Sequence, residues 1–289
     1  MAVRLTVLGT SVPLRSLDAG RAGSGTLVSS PSANLLVDCG PGVAKRFHES
    51  GNLLSALDAV LLTHHHWDHV SDLWTLVMGR WEESLYRAGE GIPLPAPLTI
   101  FGPSGTEELL DRLFGPDGLA RHDIESRLEF GYRSILPDGP GPFPRPITRD
   151  LAPGETVEIA DCHLTVAGAH HCEPILGSLS YRIESDGRSV AFSGDTAPSD
   201  EVASVATGVD ALIHEGAVIA DPSRPATHVH SDALTVGRTA AAAGAHRLIL
   251  NHHLLDDGDE PTRARIAVQV KENFGGELVF AEDLMVLEV

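Results

Sequence analysis

The residues best suited to chemistry follow an apolar run. Leu57–Leu62 has the apolar pattern of a buried strand, and a histidine-rich segment begins directly after Thr63. Side chains alternate along a strand end, so His64 and His66 are expected to face one side while His65 faces the other. Two imidazoles are therefore predicted to point together at the tip of this strand.

Two more polar residues complete this motif. The chain must turn after His66, and this turn lets Asp68 and His69 project into the same space. Three imidazoles and a carboxylate within six residues suit a metal ion, and a set without cysteine favours Zn²⁺, although Mn²⁺ or Fe would fit. A solvated histidine-rich loop is the other interpretation, and the buried strand before the motif argues against it.

A carboxylate in the second half of the chain has a similar setting. An apolar strand, Val190–Phe192, is followed by Ser193-Gly194-Asp195-Thr196, so Asp195 lies at a strand tip after a glycine that permits close backbone approach. A carboxylate can bridge two cations with its two oxygens, which an imidazole cannot do. Taken alone, this pattern favours Asp195 as a cap of the helix that follows, and the ligand interpretation gains from the His64–His69 motif.

The elements around these residues alternate between strands and helices in both halves of the chain. Apolar periodicity predicts helices near 43–50, 73–86, 106–114, 200–206, 231–243 and 260–273, with short strands between them and a terminal strand pair at 278–289. Such an order fits two β-sheets packed face to face with helices outside. Residues 115–154 are rich in Pro and Gly and are expected to form a long loop over the site rather than a separate domain.

Composition limits the function further. The 289 residues carry a formal charge of −19, which argues against general affinity for nucleic acid or anionic membranes. Three cysteines, Cys39, Cys162 and Cys172, are too few for a disulfide framework. The first residues lack the pattern of a signal peptide, so we expect a cytoplasmic protein without membrane attachment; a homodimer is compatible with the sequence.

The His-x-His-x-Asp-His motif and Ser-Gly-Asp-Thr resemble those of the metallo-β-lactamase superfamily. This resemblance implies an α/β fold, a four-layer αββα sandwich in which residues 1–289 form one hydrolase domain with a loop-rich insertion at about 115–154. It also implies that Asp195 bridges two ions. Asp38 could reach the neighbourhood of the metals or could cap the next helix, and the sequence leaves both open.

The resemblance supplies the remaining ligands. The family places a histidine three residues before a proline, which His171-Cys172-Glu173-Pro174 matches, with His170 as the alternative. Its closing Leu-x-His motif points to His252, with His253 as the alternative. The implied set is two zinc ions: His64, His66 and His171 bind one, Asp68, His69 and His252 bind the other, and Asp195 lies between them.

Two further motifs resemble the ribonuclease Z-like members of the superfamily. His214-Glu215-Gly216-Ala217 is similar to their His-Glu-Ala-Thr motif, and His230-Ser231-Asp232 to their His-Ser-Thr motif. A buried Glu215 could hold a histidine as an acid for the leaving oxygen, with His230 as the candidate. His214 is a weaker candidate, because a backbone group could satisfy a buried strand histidine.

The substrate is where this chain departs from ribonuclease Z. Bacterial members carry a long arm that grips tRNA between the third-ligand strand and Ser-Gly-Asp-Thr, whereas Tyr181–Ser189 reads as a tight hairpin around Asp186-Gly187. Two other stretches, Ser193–Ser199 and Leu98–Pro103, are similar to those of armless, arylsulfatase-like relatives. We therefore expect a dinuclear zinc hydrolase that attacks a small phosphodiester or sulfate ester through a metal-bound hydroxide oriented by Asp68, with no nucleic-acid partner.

Three alternatives remain at this point. A lactonase or a thioesterase-like cyclase would use the same ligands on a carbonyl carbon. A ribonuclease Z-type tRNA endonuclease would need a basic track that distant residues assemble. A metal-binding protein without hydrolytic activity would retain the ligands alone.

Overall fold

The computed structural model describes residues 3–17, 20–132, 143–217, 219, 228–255 and 258–289. The strands are β1 Arg4–Gly9, β2 Gly25–Ser29, β3 Asn34–Val37, β4 Ala59–Leu61, β5 Thr99–Gly102, β6 Ile147–Asp150, β7 Thr156–Ile159, β8 Cys162–Gly168, β9 Leu179–Ser185, β10 Arg188–Phe192, β11 Ala211–Gly216, β12 Arg247–His253, β13 Glu277–Phe280 and β14 Val286–Glu288. The α-helices are α1 Val43–Glu49, α2 Trp67–Val70, α3 Leu73–Gly89, α4 Thr106–Phe114, α5 Arg121–Phe130, α6 Asp200–Val205, α7 Ala233–Ala243 and α8 Glu260–Lys271. Short 3-10 helices cover Pro13–Leu17 and Leu54–Ala56.

Within the described residues the strands form two mixed sheets. The first has the order β14-β1-β2-β3-β4-β5-β6, and the second has the order β13-β12-β11-β10-β9-β8-β7. In the first sheet β3, β4, β5 and β6 run parallel, and in the second β10, β11, β12 and β13 do the same. In each sheet several parallel strands therefore end at the same edge, and polar side chains from the loops that follow them can meet there.

Three apolar clusters separate the layers. One lies between the two sheets and includes Leu35, Leu164, Tyr181 and Ile249. A second joins the first sheet to its outer helices, and a third joins the second sheet to α7 and α8. Helices, two sheets and helices therefore form four layers, which confirms the predicted αββα sandwich.

The segment 115–154 differs from the predicted long loop. Helix α5 lies within it, because Ile124 is fully buried against the outer helical layer and Arg121–Glu125 and Arg127–Asp123 pairs span successive turns. Strand β6 extends the edge of the first sheet. The expectation of a loop is wrong for these parts. Residues 133–142 lie outside the described residues, so covering of the site remains a prediction there.

The last two strands also differ from the expected pair. β13 pairs with β12 in the second sheet, whereas β14 pairs with β1 in the first, so the C-terminal segment crosses between the sheets. Local periodicity predicts strands but not their partners, which explains the error. No α-helix among the described residues is long and apolar enough to span a bilayer.

Candidate metal centre

Polar side chains converge at one end of the sandwich because parallel strands of both sheets finish there. β3 is followed by Asp38 and β4 by His64, while in the other sheet β10 is followed by Asp195 and β12 ends with His252 and His253. The backbone at Gly194 must approach its neighbours closely: a Cβ there would lie 2.8 Å from the Leu179 carbonyl oxygen, and φ is +59°. The expected need for glycine before Asp195 is therefore real.

One group of ligand atoms contains three imidazoles and a carboxylate. His66 Nδ1 lies 3.0 Å from His64 Nε2 and 3.1 Å from His171 Nε2. Asp195 Oδ2 lies 4.0 Å from His64 Nε2 and 3.9 Å from His171 Nε2. Zinc–nitrogen bonds of about 2.0–2.1 Å place tetrahedral ligand atoms roughly 3.4 Å apart, so these separations suit a single ion.

A second group lies beside the first. Asp68 Oδ2 is 3.6 Å from His69 Nε2 and 3.7 Å from His252 Nε2. Asp195 reaches this group as well, with Oδ1 3.6 Å from His69 Nε2 and Oδ2 3.2 Å from His252 Nε2. Asp195 thus contacts both groups with one carboxylate, as a bridging ligand would.

Unpaired atoms in the centre test whether a cation fits. Among the described residues, Asp68 Oδ2 and His69 Nε2 are buried and have no hydrogen-bond partner. A buried polar atom without a partner costs free energy, and a cation at this point would satisfy both atoms. The donor set therefore fits divalent metal ions.

Burial and neighbouring charges shift the pKa values of these groups in ways that bear on metal binding. Burial holds the pKa of His64 well below its ordinary value, which leaves the imidazole neutral and able to donate a lone pair. Burial alone would also lower the pKa of His69, but the carboxylates of Asp38 and Asp195 outweigh it and raise the value to about 10. Burial works against the charge of Asp195, yet His252 and His69 keep its pKa well below the usual range. Cations would replace these protons, so metal binding should release protons from this centre.

Hydrogen bonds fix the ring orientation of the histidines. His171 Nδ1–H donates to the Val229 carbonyl at 2.9 Å, and His252 Nδ1–H donates to the Ser11 carbonyl at 3.0 Å. A carbonyl only accepts, so Nδ1 of both rings keeps its proton, and Nε2 is the nitrogen that faces the cluster and can bind a cation once its own proton has left. His69 Nδ1–H donates instead to Asp38 Oδ2 at 2.8 Å, with the same consequence.

The structure decides the role that the sequence left open for Asp38. Its Oδ1 accepts a bond from the Thr63 N–H at 2.8 Å, whereas the Ala44 N–H in the first turn of α1 donates to Asp72 Oδ2. Asp38 therefore orients His69 and does not cap the helix. The signal was present in the sequence, because Asp38 follows an apolar strand just as Asp195 does.

In each of the two pairs of adjacent histidines, only one side chain faces the cluster. His171 is buried in the cluster, whereas His170 is exposed. His252 adopts a left-handed φ of +49°, and the register between β11 and β12 shifts beside it, which turns this ring into the cluster. His253 is also buried, but its Nε2 lies 3.1 Å from the Ala281 carbonyl, away from the cluster.

Glu215 and His230 form a pair next to this centre. His230 Nδ1 lies 3.4 Å from Glu215 Oε1, and its ring centroid is 4.9 Å from that of His171. Glu215 also accepts backbone bonds from Ala217 at 2.7 Å and Ser231 at 2.8 Å, which ties the loop that carries His230 to β11. Burial opposes a charge on His230, but Glu215 raises its pKa above the ordinary value.

His214 does not join this pair. Its neighbour Leu212 packs toward the outer helices and Ile213 between the sheets, so alternation along β11 points His214 away from Glu215. Its Nδ1 lies 2.9 Å from the Glu215 carbonyl oxygen, so a backbone group satisfies it. His214 therefore lies on the opposite face of β11 from Glu215.

Comparisons with known proteins agree with the fold. The family model described as "Beta-lactamase superfamily domain" matches residues 33–253. A protein named ribonuclease Z from Mycobacterium bovis is 34% identical over 298 residues, covering 99% of this chain and 98% of its own length.

Solved structures show the same architecture. A metallo-β-lactamase fold protein, YhfI from Bacillus subtilis, has a TM-score of 0.75 at 23% identity and covers 99% of both chains. The short form of human tRNase Z has a TM-score of 0.65 at 19% identity and covers 98% of both. The names of the ribonuclease Z relatives conflict with the expectation of a small ester and no nucleic acid, and they favour the endonuclease alternative.

Proposed function

Because this chain belongs to the metallo-β-lactamase superfamily and is a metal-dependent hydrolase, we propose that it cleaves phosphodiester bonds with two divalent metal ions. His64, His66 and His171 are the proposed ligands of one ion, and Asp68, His69 and His252 those of the other. The observation that carries the proposal is the position of Asp195, whose carboxylate contacts both groups. We propose Zn²⁺ as the metal, since the donors are nitrogen and oxygen atoms; Mn²⁺ or Fe is the alternative.

The bound ions would acidify water and polarise the phosphoryl oxygen. Asp68 and Asp195 would orient the nucleophile, since both carboxylates are buried at the centre. His230, whose pKa is raised by the neighbouring Glu215, would give its proton to the departing oxygen. No role in the reaction is proposed for His214.

RNA is the first proposed substrate. Relatives that align over 99% of the chain are named ribonuclease Z, and this supports a phosphodiester in RNA over a sulfate ester or a carbonyl substrate. The formal charge of −19 is an average over the chain and leaves room for a local attraction to phosphate at the cations.

A small phosphodiester is the second candidate, and one observation favours it. β9 and β10 are joined directly at Asp186-Gly187, with Ser185 opposite Arg188, so these strands carry no arm. A long RNA needs several basic contacts away from the centre, and each adds to the salt dependence of binding. In the ribonuclease Z relatives that this chain resembles, the arm would supply those contacts, and here a tight hairpin stands at its position.

The test compares substrates on metal-loaded protein. Precursor tRNA, bis(p-nitrophenyl) phosphate, an aryl sulfate and a lactone would be assayed side by side at several salt concentrations, with Asp195→Ala as the inactive control. Efficient, salt-sensitive cleavage of the tRNA supports the first candidate, and preferential turnover of the small phosphodiester supports the second. Turnover of the lactone or the aryl sulfate alone would refute phosphodiester hydrolysis.

A further inference from the structure

A small cavity lies beneath the metal centre, between the two sheets. Its volume is about 30 Å³, and its floor is apolar, with Val37, Phe192 and Ile213. His69, Asp195 and His252 line it from the side of the metal ligands. Polar groups from both sheets line the rest of the cavity: Ser24, Thr26, Asp38, Thr63, Ser193, Glu215 and Asn251.

Asn251 is the unexplained residue of this cavity. Its side chain is 6% exposed, and among the described residues nothing donates a hydrogen bond to its Oδ1. It is the register partner of Glu215 across β11 and β12, so the two side chains stand beside each other on the face that lines the cavity. The next residue is His252, whose left-handed φ coincides with the register shift between β11 and β12.

An apolar residue of similar size would be the expected occupant of this position if packing alone mattered. A buried amide oxygen without a partner costs roughly 1–3 kcal/mol, so a partner other than the described residues is indicated. A water molecule needs about 10–15 Å³ and two to four polar partners, and the cavity offers both.

We propose that this cavity binds one buried water molecule that donates a hydrogen bond to Asn251 Oδ1. Through this water Asn251 acts as a positioning residue: it fixes the start of the turn that delivers His252 and supports the carboxylates lining the cavity. Groups behind the ligands of a metal commonly change its affinity by about 10–100-fold when removed. This inference rests on the proposed ligand assignment, in which His252 binds the second ion.

The experiment uses the full chain with Asn251→Leu, which keeps the volume and removes the amide. Zn²⁺ affinity would be measured by competition with a chelator, and melting temperatures would be recorded with and without metal. We expect the weaker of the two ions to bind roughly 10-fold or more weakly, while the metal-free protein melts at the same temperature or higher, because a buried unpaired oxygen is gone. Asn251→Asp, which keeps an oxygen at the same place, should restore part of the affinity.

Asn273→Leu is the control, since Asn273 is exposed after α8 and should change neither value. A crystal structure of the wild type should place a water within hydrogen-bond distance of Asn251 Oδ1. Unchanged metal affinity in Asn251→Leu, or a cavity without that water, would overturn the inference. Failure of the wild type to bind two ions would instead refute the proposed metal centre, so the two failures are distinguishable.

Discussion

The two halves of the chain supply the metal centre in different ways. The first half provides four of its polar groups from one strand tip and the short helix after it, His64 to His69. The second half provides His171 from the segment between β8 and β9, Asp195 from the segment after β10, and His252 from the end of β12. A contiguous motif depends on one local turn, whereas the second set exists only when β9 to β12 are assembled.

The halves also differ in what orients their histidines. In the first half a side chain, Asp38, accepts the bond from His69. The histidines of the second half, His171 and His252, instead donate to backbone carbonyls, those of Val229 and of Ser11, which follows β1. A backbone acceptor survives any substitution, so the first half is the more sensitive to mutation of its supporting residues.

The largest effect is expected where the halves meet. Asp195→Ala removes the carboxylate that contacts both groups, so both ions should be lost together with their contribution to stability. That contribution is about 2.7 kcal/mol for each ion when free metal is 100 times its Kd. Elemental analysis and the melting temperature in excess Zn²⁺ measure the two effects. Asp200→Ala, at the exposed start of α6, is the control and should retain both ions.

Loss of His230 should separate chemistry from metal binding. His230→Ala is expected to keep both ions and lower kcat by about 10²–10⁴-fold, because proton donation to the leaving oxygen is removed. Glu215→Gln should also lower kcat, since the charge that keeps His230 protonated is gone. Reduced metal content in His230→Ala would instead make this residue a ligand or a support for His171.

A smaller effect is expected for Asp38→Asn, which tests the supporting side chain of the first half. Metal affinity should fall by about 10–100-fold, because an amide no longer holds His69 with a charge-assisted bond. Asp72→Asn is the matched control: its carboxylate accepts a bond from the Ala44 N–H and touches no ligand, so affinity should be unchanged. Equal losses in both variants would show general damage to this loop.

The smallest effect is expected for His170→Ala, and the adjacent His171→Ala is its comparison. His170→Ala should leave metal content and kcat unchanged because the side chain is exposed, whereas His171→Ala should release one ion. The comparison needs only metal analysis of two adjacent variants. Metal loss in His170→Ala would contradict the proposed ligand set.

Some features can be predicted from the sequence because they depend on residues close together in the chain. The apolar strand before His64 and the glycine before Asp195 are short-range signals, and the structure places both residues as those signals predict. Helix α5 was missed because its apolar content is low: it buries one residue, Ile124, and relies on charged pairs on its surface. Apolar periodicity reveals a helix by its buried face, so a mostly exposed helix has only a weak periodic pattern.

The amino-acid sequence by itself determined the layered fold, the superfamily and the contiguous half of the proposed metal centre, because strand alternation and turn residues act over a few positions. Only the tertiary structure decided that His171 rather than His170 faces the cluster, that Asp38 orients His69, and that His214 points to the other side of β11. It also decided that Asn251 lines a polar cavity. These side-chain orientations depend on strand pairing and on the left-handed backbone at His252. Strand pairing joins residues that are far apart in the chain, so it produces no periodic pattern in the sequence.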